Sequence, residues 1–349
     1  MSATDTTPTT DGAIADATAL TRKDFASDRE VRWCPGCGDY AILATIQSLL
    51  AEVGARPEKT VFVSGIGCSS RFPYYMNTFG MHTIHGRAPT VATGLAITRP
   101  DLDVWVVTGD GDGLSIGGNH LMHALRRNVN LNVLLFNNEI YGLTKGQYSP
   151  TSPIGAVHKS TPMGSVDRPI NPVSLALGAE ATFVARSIDA DRAHLTETLK
   201  AAYAHRGTSF VEIYQNCVVF NDDAFIQVTG KDTKAHNQIR LRQGEPIVFG
   251  PDGEHAVVAN PDGSMQVIPT AEAGDRVVIH DATREDPTTA FALARLAPAP
   301  TVPTPFGVFR DIAAPVYDDM VRDQVERAKA SKEPDLRALL DSGNVWDVA

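Results

Sequence analysis

The sequence predicts an α/β fold: a mostly parallel sheet with helices on both faces, followed by a C-terminal extension. Three observations carry this expectation. Short apolar runs at Thr60 to Ser64, Val104 to Val107, Leu131 to Phe136 and Ser209 to Tyr214 alternate with longer stretches of helical periodicity, the order that crossover connections between parallel strands produce. Two of these runs end in a glycine-rich or Asn-Asn segment, where open α/β sheets place ligands. A chain of 349 residues, 43% hydrophobic and 21% charged, can bury a full core as one large domain or two unequal ones.

Residues 1–22, rich in Thr, Ala and Asp, have neither a basic start nor an apolar h-region, so they read as a disordered tail and not a signal peptide. Ile42, Leu43, Ile46, Leu49, Leu50 and Val53 recur at helical spacing and predict an amphipathic helix over Asp39 to Glu52. Thr60 to Ser64 is a buried strand leading into the Cys68 loop. A helix over Arg87 to Thr98 follows, then a strand over Val104 to Val107, a turn, a helix over Gly118 to Arg127 and a strand over Leu131 to Phe136. Pro172 to Leu177 and Asp191 to His205 read as helices, and Ala181 to Ala185 and Ser209 to Tyr214 as strands. Together these make residues 23–225 one α/β domain. Beyond Phe225, Asn260-Pro261-Asp262-Gly263 between two apolar runs predicts a hairpin, Pro298 to Pro305 is proline-rich and Asp318 to Lys329 is a charged helix candidate. Residues 226–349 carry no motif chemistry and are expected to cover the core or bind a partner.

The net charge of −10 disfavours nucleic acid and anionic membrane surfaces, and no apolar run approaches membrane-spanning length. The expected location is cytoplasmic.

The most informative segment is Gly109-Asp110-Gly111, followed after 25 residues (112–136) by Asn137-Asn138. Glycines after a strand let backbone amides and a helix N-terminus approach a diphosphate. A neighbouring parallel strand brings Asn138 to the same edge, so Asp110, Asn138 and the carbonyl of Ile140 can meet at one Mg²⁺, whose remaining ligands are phosphate and water. This spacing resembles the thiamine diphosphate fingerprint.

Cys34, Cys37, Cys68 and Cys217 are the only cysteines. Structural zinc usually shows two C-x-x-C knuckles and here there is one. A thioredoxin-like pair follows an apolar strand, whereas Lys23 to Arg32 is charged and polar. One 4Fe-4S cluster needs four thiolates and tolerates dispersed ligands. Cluster, zinc and unligated thiols all stay open on the cysteines alone.

Taken in order, Trp33-Cys34-Pro35-Gly36-Cys37-Gly38, Gly65-Ile66-Gly67-Cys68-Ser69, His85-Gly86-Arg87-Ala88, Gly109-Asp110-Gly111-Asp112, Asn137 to Thr144 and the single Cys217 resemble the β subunits of 2-oxoacid:ferredoxin oxidoreductases, nearest to the 2-oxoglutarate type, from about Trp33 to Arg310. The resemblance implies a thiamine-diphosphate-binding sheet of the diphosphate-domain type, with Gly86, Gly109, Asp110, Gly111, Asp112, Asn138, Ile140, Gly142 and Leu143 at the cofactor. It implies Mg²⁺ on Asp110, Asn138 and Ile140, and one 4Fe-4S cluster on the four cysteines. An α subunit would supply the second thiamine-binding domain in an α2β2 assembly. The implied reaction converts 2-oxoglutarate and coenzyme A to succinyl-CoA and CO₂, with electrons leaving to ferredoxin. His85 is a candidate catalytic residue by its place in the cofactor loop. Arg71, three residues after Cys68, is a candidate for pairing with a substrate carboxylate. Pyruvate or another 2-oxoacid is the alternative substrate. A non-oxidative thiamine decarboxylase or carboligase, which needs no cluster, and a non-catalytic metal scaffold are the alternative functions.

Overall fold

The computed structural model describes residues 20–296, 303–331, 333–346 and 348. Most of the tail expected at 1–22 and most of the proline-rich segment at 298–305 lie outside the described residues.

In chain order the strands are β1 (Thr60–Ser64), β2 (Phe79–His82), β3 (Asp103–Gly109), β4 (Leu131–Asn137), β5 (Ile140–Tyr141), β6 (Gln147–Tyr148), β7 (Phe183–Ile188), β8 (Thr208–Tyr214), β9 (Gln238–Arg240), β10 (Val248–Phe249), β11 (His255–Ala259), β12 (Met265–Pro269) and β13 (Thr304–Asp311). The helices are α1 (Asp39–Glu52), α2 (Ala88–Thr98), α3 (Asp110–Leu114), α4 (Gly118–Arg127), α5 (Pro172–Gly178), α6 (Arg192–Ala204), α7 (Ile226–Thr229), α8 (Lys234–Asn237), α9 (Thr270–Ala273), α10 (Thr288–Ala294), α11 (Tyr317–Ser331) and α12 (Leu336–Leu340). Eight strands form the main sheet in the order β2-β1-β3-β4-β8-β7-β13-β9. All its pairings are parallel except that of β13 with β7.

Alternation along each strand feeds two cores. Val61, Val63, Val104, Val106, Val133 and Leu135 face one way and pack with α2, α4, α5 and α10. Phe62, Trp105, Val107, Leu134 and Phe136 face the other way, against Ile42, Ile46 and Leu49 of α1 and Leu195 and Leu199 of α6. Burying both faces is what makes these strands read as continuous apolar runs.

The chain leaves β1 outward to β2 and then returns across β1 to β3. The crevice between the carboxyl ends of β1 and β3 is therefore the topological switch point, where ligands of open α/β sheets bind. The loop after β1 carries Cys68 and the turn after β3 carries Asp110.

Several elements differ from the sequence reading, β7, β2 and β13 among them. β7 runs on through Arg186 to Ile188, because that fully buried guanidinium is neutralised by Glu212 of β8 at 2.7 Å. β2 was not expected, since all four of its residues are exposed at the sheet edge. β13 lies where a proline-rich connection was expected; its Pro305 and Gly307 hide a strand whose Phe306 and Phe309 are buried. Residues after 225 are thus not a layer apart, because β9 and β13 complete the main sheet. The hairpin of β11 and β12 forms with β10 a separate three-stranded sheet.

No helix among the described residues is long and apolar enough to cross a membrane.

Candidate functional site

The turn after β3 is itself one turn of helix. Gly109 is extended and Asp110 opens α3, which ends at Ser115 before α4 begins. This sets the first amides of α3 at the sheet edge, without intrahelical partners. Gly111 is required by close packing: a Cβ there would lie 2.2 Å from a ring carbon of Tyr141. The Tyr141 hydroxyl donates to the Gly111 carbonyl at 2.9 Å, tying β5 to the turn.

Asp110 is buried, and burial pushes its carboxyl up to about 6. Thr151 Oγ1 lies 2.7 Å from Asp110 Oδ2 and 2.9 Å from Asn137 Oδ1. Asn137 in turn donates to Glu212 at 2.8 Å, and Glu212 accepts from Arg186. Glu139, held in a left-handed conformation (φ 56°), is buried beside them and raised well above its usual range by burial and by the Asp110 and Glu212 charges. Three buried carboxylates thus share the neighbourhood of one buried cation, and Arg186 is already committed to Glu212. The surplus of negative charge fits a bound cation. Asn138 donates through Nδ2 to Gln215 at 2.8 Å while its Oδ1 accepts from the Ile140 amide at 3.2 Å, which fixes the orientation of the amide group. Asp110, Asn138 and Ile140 line one small cleft with Gly109, Gly111 and Asp112. That donor set suits Mg²⁺ completed by diphosphate and water.

Asp112 plays a different part. Its carboxylate accepts from Thr108 Oγ1 at 2.7 Å and from the Gly86 amide at 2.8 Å, and contacts His85 Nδ1 at 2.8 Å. It is filled by protein donors and orients the His85 loop. Gly86 has φ +73°, and a Cβ there would meet Gly117 N at 2.5 Å, so the loop lies directly on the segment between α3 and α4.

Cys34, Cys37, Cys68 and Cys217 line a single cavity of about 250 Å³, together with Arg71, Asn138, Gly142 and Leu143. A Cβ at Gly142 would lie 3.5 Å from Cys217 Sγ and 3.8 Å from Cys68 Sγ, so both sulfurs lie against that glycine. Gln215 Nε2 lies 3.2 Å from Cys37 Sγ, and Trp33 Nε1 donates to the Cys68 carbonyl at 2.7 Å. Burial, and secondarily Asp39, push the Cys68 thiol up to about 12 and the Cys37 thiol higher still. Thiols so placed ionise only with a positive partner, as metal ligation provides. Among the described residues no three His, Cys, Asp or Glu side chains converge closely enough to hold a single metal ion. Four cysteines on one cavity are a donor set that suits a four-thiolate inorganic group.

The two pockets share a wall: Cys68, Asn138, Gly142 and Leu143 line both. Arg71 stands on the outer side. Its Nη1 donates to the Arg32 carbonyl at 3.0 Å, and it opens onto a third cavity, of about 530 Å³, which Leu143 also lines. His85 contacts neither thiol pocket nor diphosphate cleft among their lining residues and reaches them only through Asp112. Sequence reasoning missed Thr151, Tyr141 and Gln215. Only Gln215 left a signal, standing two residues before Cys217 at a strand end.

Thr151→Val removes the donor to Asp110 and should raise that carboxyl further. Mg²⁺ affinity, measured by titration, should then fall by about fivefold at pH 6 and less at pH 8, because loss of one hydrogen bond costs ~1 kcal/mol.

Residues 65–213 match the family described as thiamine pyrophosphate enzyme, C-terminal TPP binding domain. The chain is 59% identical over 330 residues to the 2-oxoglutarate oxidoreductase subunit KorB of Mycobacterium tuberculosis, covering 93% of this chain and 88% of that protein. It is 42% identical over 188 residues to the 2-oxoglutarate synthase subunit KorB of Methanocaldococcus jannaschii, covering 54% of this chain and 70% of the relative. A solved 2-oxoglutarate:ferredoxin oxidoreductase from Magnetococcus marinus, with 2-oxoglutarate, coenzyme A and succinyl-CoA bound, superposes with a TM-score of 0.75 at 34% identity, covering 95% of this chain and 98% of that one.

Proposed function

Because the chain belongs to the β-subunit family of 2-oxoacid:ferredoxin oxidoreductases, nearest the 2-oxoglutarate type, we propose that it oxidatively decarboxylates 2-oxoglutarate with coenzyme A and passes the electrons through one 4Fe-4S cluster to ferredoxin. The observation that carries this reading is the shared wall of Cys68, Asn138, Gly142 and Leu143. A non-oxidative thiamine enzyme has no use for four thiols beside its diphosphate cleft.

In this reading Asp110, Asn138 and the Ile140 carbonyl hold Mg²⁺, while Gly109, Gly111 and the first amides of α3 receive the diphosphate. Thiamine diphosphate, when bound, supplies the electron sink for decarboxylation. Cys34, Cys37, Cys68 and Cys217 hold the cluster, which accepts electrons singly. Gln215 keeps the two sites in register, its Oε1 accepting from Asn138 and its Nε2 facing Cys37. His85 acts from its loop, with its tautomer fixed by Asp112. Cys34, the most exposed cysteine of the four, marks the edge where an external carrier takes electrons. An α subunit completes the active site from the other side, in an α2β2 assembly. A cytoplasmic location belongs to the same reading, since none of the four thiols is in a disulfide.

The test is anaerobic purification with the partner subunit, followed by iron, sulfide and thiamine analysis and assay of 2-oxoglutarate with coenzyme A and ferredoxin. Zinc without sulfide, or CO₂ release without need of an electron acceptor, would favour the scaffold or the non-oxidative enzyme instead.

Substrate choice is assigned to Arg71. The distal carboxylate that distinguishes 2-oxoglutarate from pyruvate needs a cation or several donors when it leaves water. Arg71→Met should lower kcat/KM for 2-oxoglutarate by roughly 2–4 kcal/mol of transition-state stabilisation and leave pyruvate much less affected. Equal losses would move Arg71 to the shared carboxylate or to the partner interface.

A further inference from the structure

A cavity of about 570 Å³ lies outside the site just described. It opens at the carboxyl end of β7, one strand beyond the thiol rim; Ile188 lines it, and the next residue, Asp189, turns away to accept from the Asn216 amide at 2.8 Å. In a chain of net charge −10, this cavity gathers Arg192, Lys234, Arg240 and Arg242. Two acids accompany them. Asp191 is occupied by Arg240 at 2.6 Å and by the His194 amide. Glu245 lies 3.6 Å from Arg242, with both side chains well exposed. Arg192 and Lys234 have no side-chain partner among the described residues, so two positive charges remain unneutralised at the mouth. Arg240 Nη2 is taken by Asp191 and Gln238, while its Nη1 is buried without a hydrogen-bond partner. The N-terminus of α6, a helix of 13 residues, begins at Arg192; Asp191 caps its His194 amide, and the Arg192 and Ala193 amides at the positive end of the dipole stay outside that cap.

Val228, Val248 and Phe249 add an apolar portion to its wall. An inorganic ion needs no such wall and far less room, whereas about 300–1,000 Å³ is the usual size of a site for an organic ligand. From these features together we infer that the cavity binds a nucleoside phosphate, its phosphates on Arg192, Lys234 and Arg240 and its base against Val248 and Phe249. The same chemistry is offered by a free nucleotide and by the nucleotide end of coenzyme A.

The experiment is calorimetric titration of the intact enzyme, copurified with its partner subunit, with ADP and with adenosine. Binding is read without turnover, so failure of the oxidoreductase reading leaves this test intact. ADP should bind saturably and adenosine at least tenfold more weakly. Arg192→Gln/Lys234→Gln should weaken ADP at least tenfold with an unchanged melting temperature, as expected for two exposed side chains. Unchanged KM for coenzyme A in that variant assigns the site to a free nucleotide; a KM raised in parallel assigns it to coenzyme A. Absence of saturable ADP binding, equal binding of adenosine, or undiminished ADP affinity in the double variant would each overturn the inference.

Discussion

Asp110→Ala should abolish Mg²⁺-dependent thiamine diphosphate binding, with Asn138→Ala close behind. Both are to be measured by titration of the cofactor into metal-loaded enzyme. Mg²⁺ demands near-octahedral geometry from few protein ligands, and loss of one should lower affinity by more than about a hundredfold, since even partners outside the coordination sphere contribute ~10–100-fold. The pH dependence gives a second reading. In the metal-free chain burial raises the Asp110 carboxyl to about 6, so below that pH a proton competes with the cation. Affinity should therefore climb as pH rises through about 6 and level off above it. The opposite sign governs the stability of the chain without its cation: the share from this group is present at low pH and lost as pH rises and the carboxyl ionises through about 6. Iron and sulfide content should be unaltered in both variants. Unchanged cofactor affinity would remove Asp110 from the metal site.

The second large effect is expected from Cys217→Ser. Its sulfur lies with that of Cys68 against Gly142 in the four-thiol cavity, and a 4Fe-4S cluster with one thiolate missing loses a quarter of its protein ligation. Iron, sulfide and visible absorbance should fall nearly to zero, and transfer to ferredoxin with them. Thiamine diphosphate should still bind, because the Asp110 network reaches Thr151, Asn137 and Glu212 without touching a thiol. A variant that retains full sulfide would exclude Cys217 as a ligand.

The central sheet was legible where sequence periodicity and burial coincide. α1 and α4 begin and end where the apolar spacing and flanking glycines place them, and β3 and β4 grow by only one to a few residues. Legibility failed wherever a distant partner reverses a local preference. Arg186 would end a strand if Glu212 did not neutralise it. Pro305 and Gly307 argue against a strand until β7 and β9 flank them. At the site, the cysteines and the Gly-Asp-Gly turn announce themselves because their chemistry is rare. Thr151 does not, since a threonine in a loop is common and its value lies in reaching Asp110 across 41 positions of sequence. Asp112 shares the motif with Asp110, yet only three-dimensional contacts show that its oxygens are taken by Thr108, Gly86 and His85.

The strand order has a bearing on biogenesis. All four thiols lie before residue 218, but the strand that covers β7 begins only at Thr304. At ribosomal rates of about 5–20 residues per second, those intervening residues take roughly 4–17 s to appear. Throughout that interval β7 is a bare edge, and Arg186 lacks both the Pro305 carbonyl that accepts from it at 3.3 Å and the Phe309 ring beneath it. The nascent chain therefore presents its complete thiol set before its sheet is closed. The thiol set and the strand that closes the sheet emerge at different times, and a chaperone that shields the β7 edge during synthesis would act in the window between them.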